Sequence, residues 1–156
     1  MTELTLVRDP DDNHAYVLPT FGRVRLPHTP RGEVVIEVPG EVAWRISGGR
    51  PRLHPIWQAV EPDSAVVATV EYHDRRIICG ERELVMNSRA ATFLKGPGPW
   101  IVSEQGREIV SFTRRDWGHR PVTVMIMDEQ AVRSDPRLTL LAAWSANMLS
   151  RSTGVL

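Results

Sequence analysis

The sequence has one cysteine, one lysine and none of the common catalytic or nucleotide-binding motifs. A single cysteine, Cys79, excludes an internal disulfide and a cysteine-based zinc cluster. Its neighbours Ile77 and Ile78 predict a small buried residue rather than a nucleophile. There is no Gly-x-Ser-x-Gly, no P-loop and no Gly-x-Gly-x-x-Gly pattern. These absences favour a protein that is not an enzyme and that uses no cofactor.

Histidines and acidic residues give no metal site either. The five histidines show no paired ligand spacing on one element. Asp9-x-Asp11-x-Asn13 resembles the start of a calcium loop, but His14 stands where the loop needs glycine. A histidine base, His73 or His119, is the remaining enzymatic alternative. His73-Asp74 is more typical of a solvated turn, because neighbouring strand residues point to opposite faces. We expect no bound metal.

Long apolar runs and an excess of one charge are also missing. The N-terminus lacks a basic segment followed by an apolar core, so we expect no signal peptide. The longest apolar run is about 12 residues, whereas a membrane span needs about 20. The 19 basic and 19 acidic residues balance, which leaves no overall field to attract nucleic acid. The sequence predicts a cytoplasmic protein that is neither transmembrane nor a nucleic-acid partner.

Short alternating segments dominate the chain before residue 130. Val42, Trp44 and Ile46 alternate with polar residues, and similar patterns at 34–38, 66–72, 77–79, 100–103, 108–113 and 122–127 predict strands. Residues 104–107 predict a hairpin turn between two of them. Residues 81–95 suit a helix or strands, and we favour strands. Residues 1–30, rich in proline, are expected to be partly irregular, with one short strand at 16–18.

The C-terminal segment predicts one buried helix. Asp135-Pro136 is a good helix start, since Asp caps the first turn and proline at the first position loses no hydrogen bond. From Leu138 to Leu149 apolar residues cover every face, which is typical of a helix buried on all sides. We expect Trp44, Trp100 and Trp144 in the core, a structural hydrogen bond for Asn147, and bonds from Thr139 and Ser145 to carbonyls one turn earlier. Because this helix has no polar face, we expect the rest of the chain to surround it.

Eight to twelve short strands and one apolar helix define the expected architecture. So many strands in 156 residues must close into a barrel or stack as a sandwich to cover their apolar faces. We predict a single mainly β domain over 1–156, a closed antiparallel β-barrel that encloses the hydrophobic C-terminal helix. The alternative is a β-sandwich or roll with the helix packed against it.

The order of elements from Trp100 onward resembles the tubby-like β-barrel superfamily. The similar residues are the strand Trp100-Ile101-Val102-Ser103, the turn Gln105-Gly106-Arg107, the strands 108–112 and 122–128, and the helix from Asp135-Pro136 to Leu149. This superfamily includes the tubby C-terminal domain, phospholipid scramblases and LURP-one-related proteins. The resemblance implies a closed barrel around a hydrophobic helix, and tubby-type domains bind phosphoinositides through basic residues on the barrel.

The densest basic cluster is the segment 114–120. Its candidate ligand-binding residues are Arg114, Arg115, Trp117, His119 and Arg120, which would combine cations with an interfacial aromatic ring. A solvated loop partly neutralised by Asp116 is the competing interpretation.

Two functions therefore stay open. The first is a non-enzymatic binding module for an anionic lipid headgroup or a phosphorylated ligand, peripheral to the membrane. The second is a structural or protein-protein interaction module, whose partner surface would include Trp57 and the proline-rich loops. The sequence leaves the oligomeric state undetermined.

Overall fold

The structure is a computed structural model that describes residues 1–29, 32–48, 56–88, 98–114, 117–118 and 121–152. Twelve strands form one closed barrel, and two helices follow them. The strands are β1 Thr2–Asp9, β2 Asp12–Leu18, β3 Gly22–Arg25, β4 Val34–Glu37, β5 Trp44–Gly48, β6 Ile56–Val60, β7 Val66–Glu71, β8 Arg76–Cys79, β9 Arg82–Ser88, β10 Trp100–Glu104, β11 Arg107–Phe112 and β12 Val122–Ile126. The helices are α1 Glu129–Arg133 and α2 Pro136–Ser152.

Each strand pairs antiparallel with its neighbours in sequence, and β1 pairs with β12 to close the barrel. The seam runs from Thr2 opposite Ile126 to Leu6 opposite Val122. Because the strands alternate in direction, successive connections lie at opposite ends of the barrel. We call the end with residues 19–21, 38–43, 80–81, 105–106 and α1 the α1 end. The end with residues 10–11, 26–29, 32–33, 72–75, 113–114, 117–118 and 121 is the loop end.

Helix α2 enters the barrel at the α1 end and runs to the loop end. The side chain of Asp135 accepts a hydrogen bond from the backbone N–H of Arg137 at 3.2 Å, so the predicted N-cap is confirmed. All ten residues from Leu138 to Asn147 are buried. A helix buried on every face must lie inside the barrel, which confirms the predicted architecture over a sandwich.

The buried polar groups of α2 are satisfied locally or by the barrel. Ser145 donates to the carbonyl of Leu141 at 2.8 Å, one turn earlier, as predicted. Thr139 instead donates to the carbonyl of Val132 in α1, at 2.7 Å. This hydrogen bond links the first turns of α2 to the end of α1, the helix that precedes it in the chain. Asn147 has a structural hydrogen bond, as expected, and its partner is the β11–β12 connection.

The predicted core tryptophans are confirmed. Trp44, Trp100 and Trp144 are buried, and the indole N–H of Trp100 donates to the Ser150 hydroxyl at 2.9 Å. Trp57 is half-buried and contacts Trp144 edge-on, with ring centroids 5.6 Å apart. The tryptophans thus fill the space between the helix and the wall.

The prediction of a partly irregular N-terminal region is wrong. Residues 2–25 form three strands, β1 to β3, rather than one short strand at 16–18. The prolines that suggested irregular structure, Pro10, Pro19 and Pro27, all lie in connections between strands, where no ladder bond is lost. β6, Ile56–Val60, was also not predicted from the sequence.

Most of the other strand predictions are confirmed. The ambiguous segment 81–95 contains β9 over Arg82–Ser88, as favoured, with Glu81 in the turn before it; residues 89–95 lie outside the described part of the chain. Gln105 and Gly106 form the hairpin turn, with φ of 51° and 78°, values that suit a two-residue turn with both central residues left-handed.

Arginines close the α1 end. Arg82 makes a bidentate pair with Glu104 at 2.7 and 2.9 Å and also donates to the carbonyl of Ala131. Arg137 donates to the carbonyl of Val42 and stacks over the Trp44 ring, 4.7 Å from its centroid. These contacts bind α1 and the start of α2 to the barrel rim. The loop end is built differently.

Candidate anion site at the loop end

The arginines of the described residues differ in their partners. Eight of them lie within 4.0 Å of a carboxylate: Arg23, Arg25, Arg45, Arg76, Arg82, Arg107, Arg133 and Arg137. Arg8, Arg75 and Arg114 have no ion pair with any carboxylate in the described ranges. All three lie at the loop end of the barrel. The three arginines that lack a carboxylate partner in the described ranges therefore share one end of the barrel.

Two of these arginines share one aromatic ring. The guanidinium carbon of Arg114 lies 4.4 Å from the centroid of Trp100, and that of Arg75 lies 5.3 Å from it. Both distances are within the range of cation–π attraction. Arg114 follows β11, and Arg75 lies in the β7–β8 turn with a φ of 52°. Trp100 begins β10, so three separate elements build the pair.

The electrostatics of the pair are unfavourable without a ligand. Burial lowers the pKa of Arg114 below its usual value, and the positive charge of Arg75 lowers this pKa further. The Nε of Arg114 is buried without a hydrogen-bond partner among the described residues. A guanidinium still stays protonated near neutral pH. The site therefore holds two nearby cations and an unused donor, an arrangement that an anion would stabilise.

The β11–β12 connection is fixed to the mouth of the barrel. The Tyr16 hydroxyl donates to the carbonyl of Trp117 at 3.0 Å, and the backbone N–H of Trp117 donates to Oδ1 of Asn147 at 2.9 Å. Arg8 donates to the carbonyl of Gly118 at 3.4 Å. Trp117 itself is only 7% exposed and packs against Tyr16. Its ring is part of the core and does not face solvent as an interfacial aromatic would.

Only two of the five predicted site residues lie in the described part of the chain. Arg114 and Trp117 are described, whereas Arg115, His119 and Arg120 lie outside the described residues, as does Asp116. Arg114 contacts Trp100 rather than Trp117.

Sequence reasoning missed Arg75 and Arg8 as site residues. Arg75 was visible as half of the Arg75-Arg76 doublet, but Arg76 pairs with Glu71 at 2.7 Å while Arg75 reaches Trp100. No local pattern marks Arg8. Its position follows only from the ring closure that brings β1 beside β12.

His73, Asp74 and Cys79 are the remaining candidates from the sequence. His73 and Asp74 lie in the exposed β7–β8 turn, as predicted. Cys79 is half-buried, and burial together with the nearby Asp135 raises the pKa of its thiol. A raised pKa keeps the sulfur protonated, which suits packing better than nucleophilic chemistry.

The described ranges hold neither a candidate metal site nor a membrane-spanning helix. Within them, His, Cys, Asp and Glu side chains form no group of three or more that could hold a metal ion. Helices in those ranges are too short or too polar to cross a membrane.

Fold and site together define a closed twelve-strand antiparallel barrel with a C-terminal helix in its interior. At one mouth, Arg75 and Arg114 share the Trp100 ring and have no carboxylate partner in the described ranges. Comparison of the chain with protein-family models, with curated proteins and with solved structures found no match.

Proposed function

We propose that this protein is a non-enzymatic binding module for an anionic, phosphate-type group. Arg75 and Arg114, beside Trp100 at the loop end, form the contact. The observation that carries the proposal is that two guanidinium groups, neither with a carboxylate partner among the described residues, share one buried ring. Planar guanidinium groups bind phosphate oxygens bidentately, which a single ammonium does not.

The same proposal includes the finer family assignment. A closed antiparallel barrel around a hydrophobic C-terminal helix is consistent with the tubby-like β-barrel superfamily. Tubby-type domains, which belong to that superfamily, bind phosphoinositides through basic residues on the barrel. A lipid headgroup at the membrane surface is therefore the first source of phosphate to test, with the protein acting as a peripheral membrane-binding module.

The experiment is co-sedimentation with vesicles of three compositions at low and moderate salt. The compositions are phosphatidylcholine alone, phosphatidylcholine with phosphatidylserine, and phosphatidylcholine with phosphatidylinositol bisphosphate. We expect binding only to the anionic vesicles, weakening as salt rises. The double variant Arg75→Ala/Arg114→Ala should bind about 30-fold more weakly, since each arginine near an anionic surface contributes about 1 kcal/mol.

The double variant Arg107→Ala/Arg133→Ala is the matched control. It removes the same charge from arginines that pair with Asp128 and Glu129 at the α1 end. We expect its vesicle affinity to change by less than about threefold, because screening limits the reach of distant charges. Equal losses in both double variants would mean that only net charge matters, and the proposed site would be rejected.

A second arm separates a lipid headgroup from a soluble phosphate compound. Inositol trisphosphate and inorganic phosphate are titrated calorimetrically against wild type and both double variants. Binding of the free phosphates that depends on Arg75 and Arg114, without vesicle binding, would identify a soluble phosphorylated ligand. Binding of neither vesicles nor free phosphates would overturn the proposal.

A further inference from the structure

The geometry of the anion site depends on the orientation of one ring. The Trp100 indole is 1% exposed, and the guanidinium carbons of Arg114 and Arg75 lie 4.4 and 5.3 Å from its centroid. Cation–π attraction requires the cation to lie over the ring face, so a rotated ring would hold neither group in place. The terminal torsion of a tryptophan side chain is broad, and rotamer preference alone does not fix the ring.

The backbones that carry the two arginines are held independently of the ring. In the β7–β8 turn, the N–H of Arg75 donates to the carbonyl of Tyr72 at 3.2 Å, and its own carbonyl accepts from the N–H of Met86 at 2.7 Å. Beside Arg114, the N–H of Thr113 donates to a β12 carbonyl at 3.0 Å. The ring is therefore the third part of the site that needs a support.

Helix α2 supplies that support through Ser150. The indole N–H of Trp100 donates to the Ser150 hydroxyl oxygen at 2.9 Å, and Ser150 is 0% exposed near the end of the helix. The Ser150 hydroxyl donates in turn to the carbonyl of Ala146 at 2.9 Å. Because the hydroxyl proton is directed at the helix backbone, the oxygen presents a lone pair to the indole. Two hydrogen bonds in series thus connect the ring to the backbone of α2.

From these contacts we infer that Ser150 is a positioning residue of the anion site, an inference that rests on the proposed function. Its hydroxyl oxygen holds the indole of Trp100, and the indole holds the guanidinium groups of Arg75 and Arg114 in the arrangement that takes one anion. Ser150 thereby links the C-terminal part of α2 to ligand affinity. The competing role is purely structural: a core hydrogen bond whose loss lowers stability and leaves anion affinity unchanged.

Ser145 offers a matched control in the same helix. It is 3% exposed, and its hydroxyl donates to the carbonyl of Leu141 at 2.8 Å, the same one-turn bond that Ser150 makes. Ser145→Ala and Ser150→Ala remove the same atom from the same helix, but only Ser150→Ala removes the acceptor of the Trp100 indole. A difference in anion affinity between the two variants therefore reports on the ring.

The first measurement is calorimetric titration of inorganic phosphate and inositol trisphosphate into wild type, Ser150→Ala and Ser145→Ala. We expect Ser150→Ala to bind about fivefold to tenfold more weakly, the loss that follows when cation–π contacts to one ring are weakened. Ser145→Ala should stay within about twofold of wild type. Thermal unfolding gives the stability change of each variant separately. Equal affinities in Ser150→Ala and wild type would overturn the inference.

A double-mutant cycle with Trp100→Phe shows whether Ser150 acts through the indole N–H. Phenylalanine keeps an aromatic face but has no N–H, so Ser150 has nothing to hold in this background. Ser150→Ala should weaken phosphate binding when residue 100 is tryptophan and change it by less than about twofold in Trp100→Phe. A loss of the same size in both backgrounds would show that Ser150 affects affinity by another route, and the inference would be wrong.

The position of the ring can also be observed without a ligand. Ring currents shift the ¹⁵N–¹H signal of a nearby arginine Nε–H group, and the Nε of Arg114 is buried. The signal is assigned from Arg114→Lys. Ser150→Ala should move it in the absence of any anion, whereas Ser145→Ala should not. An unmoved Arg114 signal in Ser150→Ala would contradict the positioning role, even if Trp100→Phe does not fold.

The failure of this inference differs from the failure of the proposed function. If wild type binds neither the phosphate probes nor anionic vesicles, the proposed function fails and the positioning role fails with it. If wild type binds and Arg75→Ala/Arg114→Ala does not, the anion site stands, and the affinity of Ser150→Ala decides the positioning role alone.

Discussion

At the scale of single residues, arginine has two opposite uses in this barrel. At the α1 end, Arg82 pairs with Glu104 and donates to the backbone carbonyl of Ala131 in α1, so its charge stabilises the fold. Arg114 at the loop end packs on an aromatic ring, and no described residue pairs with its buried Nε. Arg137 at the α1 end also has a buried Nε without a hydrogen bond in the described ranges, but its other nitrogens contact the Val42 carbonyl and nearby carboxylates. What distinguishes Arg114 is that no described carboxylate lies beside it and that a second cation, Arg75, does.

Leu141 tests the burial of the helix at the same scale. It is fully buried in the middle of α2. Leu141→Ala should lower the free energy of unfolding by about 2–5 kcal/mol, as expected for a core cavity. Leu141→Asp should leave the protein unfolded, because an unpaired charge in an enclosed apolar site is very costly. Circular dichroism and urea unfolding measure both effects.

The exposed residue Gln130 in α1 provides a comparison for Leu141. Gln130→Ala should change stability by no more than about 0.5 kcal/mol. A Leu141→Asp protein with wild-type stability would show that α2 is not enclosed by the barrel.

At the scale of elements, the start of α2 depends on one side chain. Asp135 accepts from the N–H of Arg137, and its backbone carbonyl accepts from Thr139. Asp135→Ala should cost about 1 kcal/mol, the usual value for losing an N-cap. Asp135→Asn keeps a capping oxygen and should stay close to wild type. Thermal or urea unfolding of the pair measures the cap directly, and equal destabilisation by both variants would instead implicate the charge of Asp135.

Elements with strong local signals could be predicted from the sequence. The hairpin at Gln105–Gly106 and the helix from Pro136 were recognisable because turn residues and apolar periodicity coincide there. β1 was missed although Leu4 and Leu6 alternate with polar residues, because three nearby prolines suggested irregular structure. Those prolines mark the turns between strands. Prolines between short strands can thus indicate either irregular structure or the turns that connect the strands.

The candidate site was less predictable than the fold for a related reason. Arg114 belongs to an arginine cluster that is visible in sequence, but Arg75 and Trp100 meet it only through barrel geometry. Asn147 was recognised as needing a partner, yet only the structure shows that this partner is the backbone N–H of Trp117.

At the scale of the whole molecule, the barrel and its helix form one cooperative unit. β12 pairs with β1 across the seam, and the helix that follows occupies the interior. A chain ending at residue 134 would lack α2 and would leave the inward faces of twelve strands uncovered. We expect such a chain to lack a cooperative unfolding transition and to bind a hydrophobic dye.

Calorimetry and dye fluorescence of the 1–134 chain check this expectation against the full-length protein. The Leu141→Ala variant is the control, because it weakens the same core without removing the helix. A 1–134 chain with a sharp, cooperative transition would show that the barrel is stable without its central helix.

The seam between β1 and β12 also sets the order in which the chain can fold. Thr2 and Ile126 are neighbours in space but lie at opposite ends of the strand series. During synthesis, hairpins such as β10–β11 can form as soon as they emerge, but ring closure must wait for β12 and the core must wait for α2. Until then the nascent chain carries two unpaired sheet edges and an open apolar face, both of which promote self-association. Completion of the barrel, and with it protection from self-association, therefore has to wait for β12 and α2.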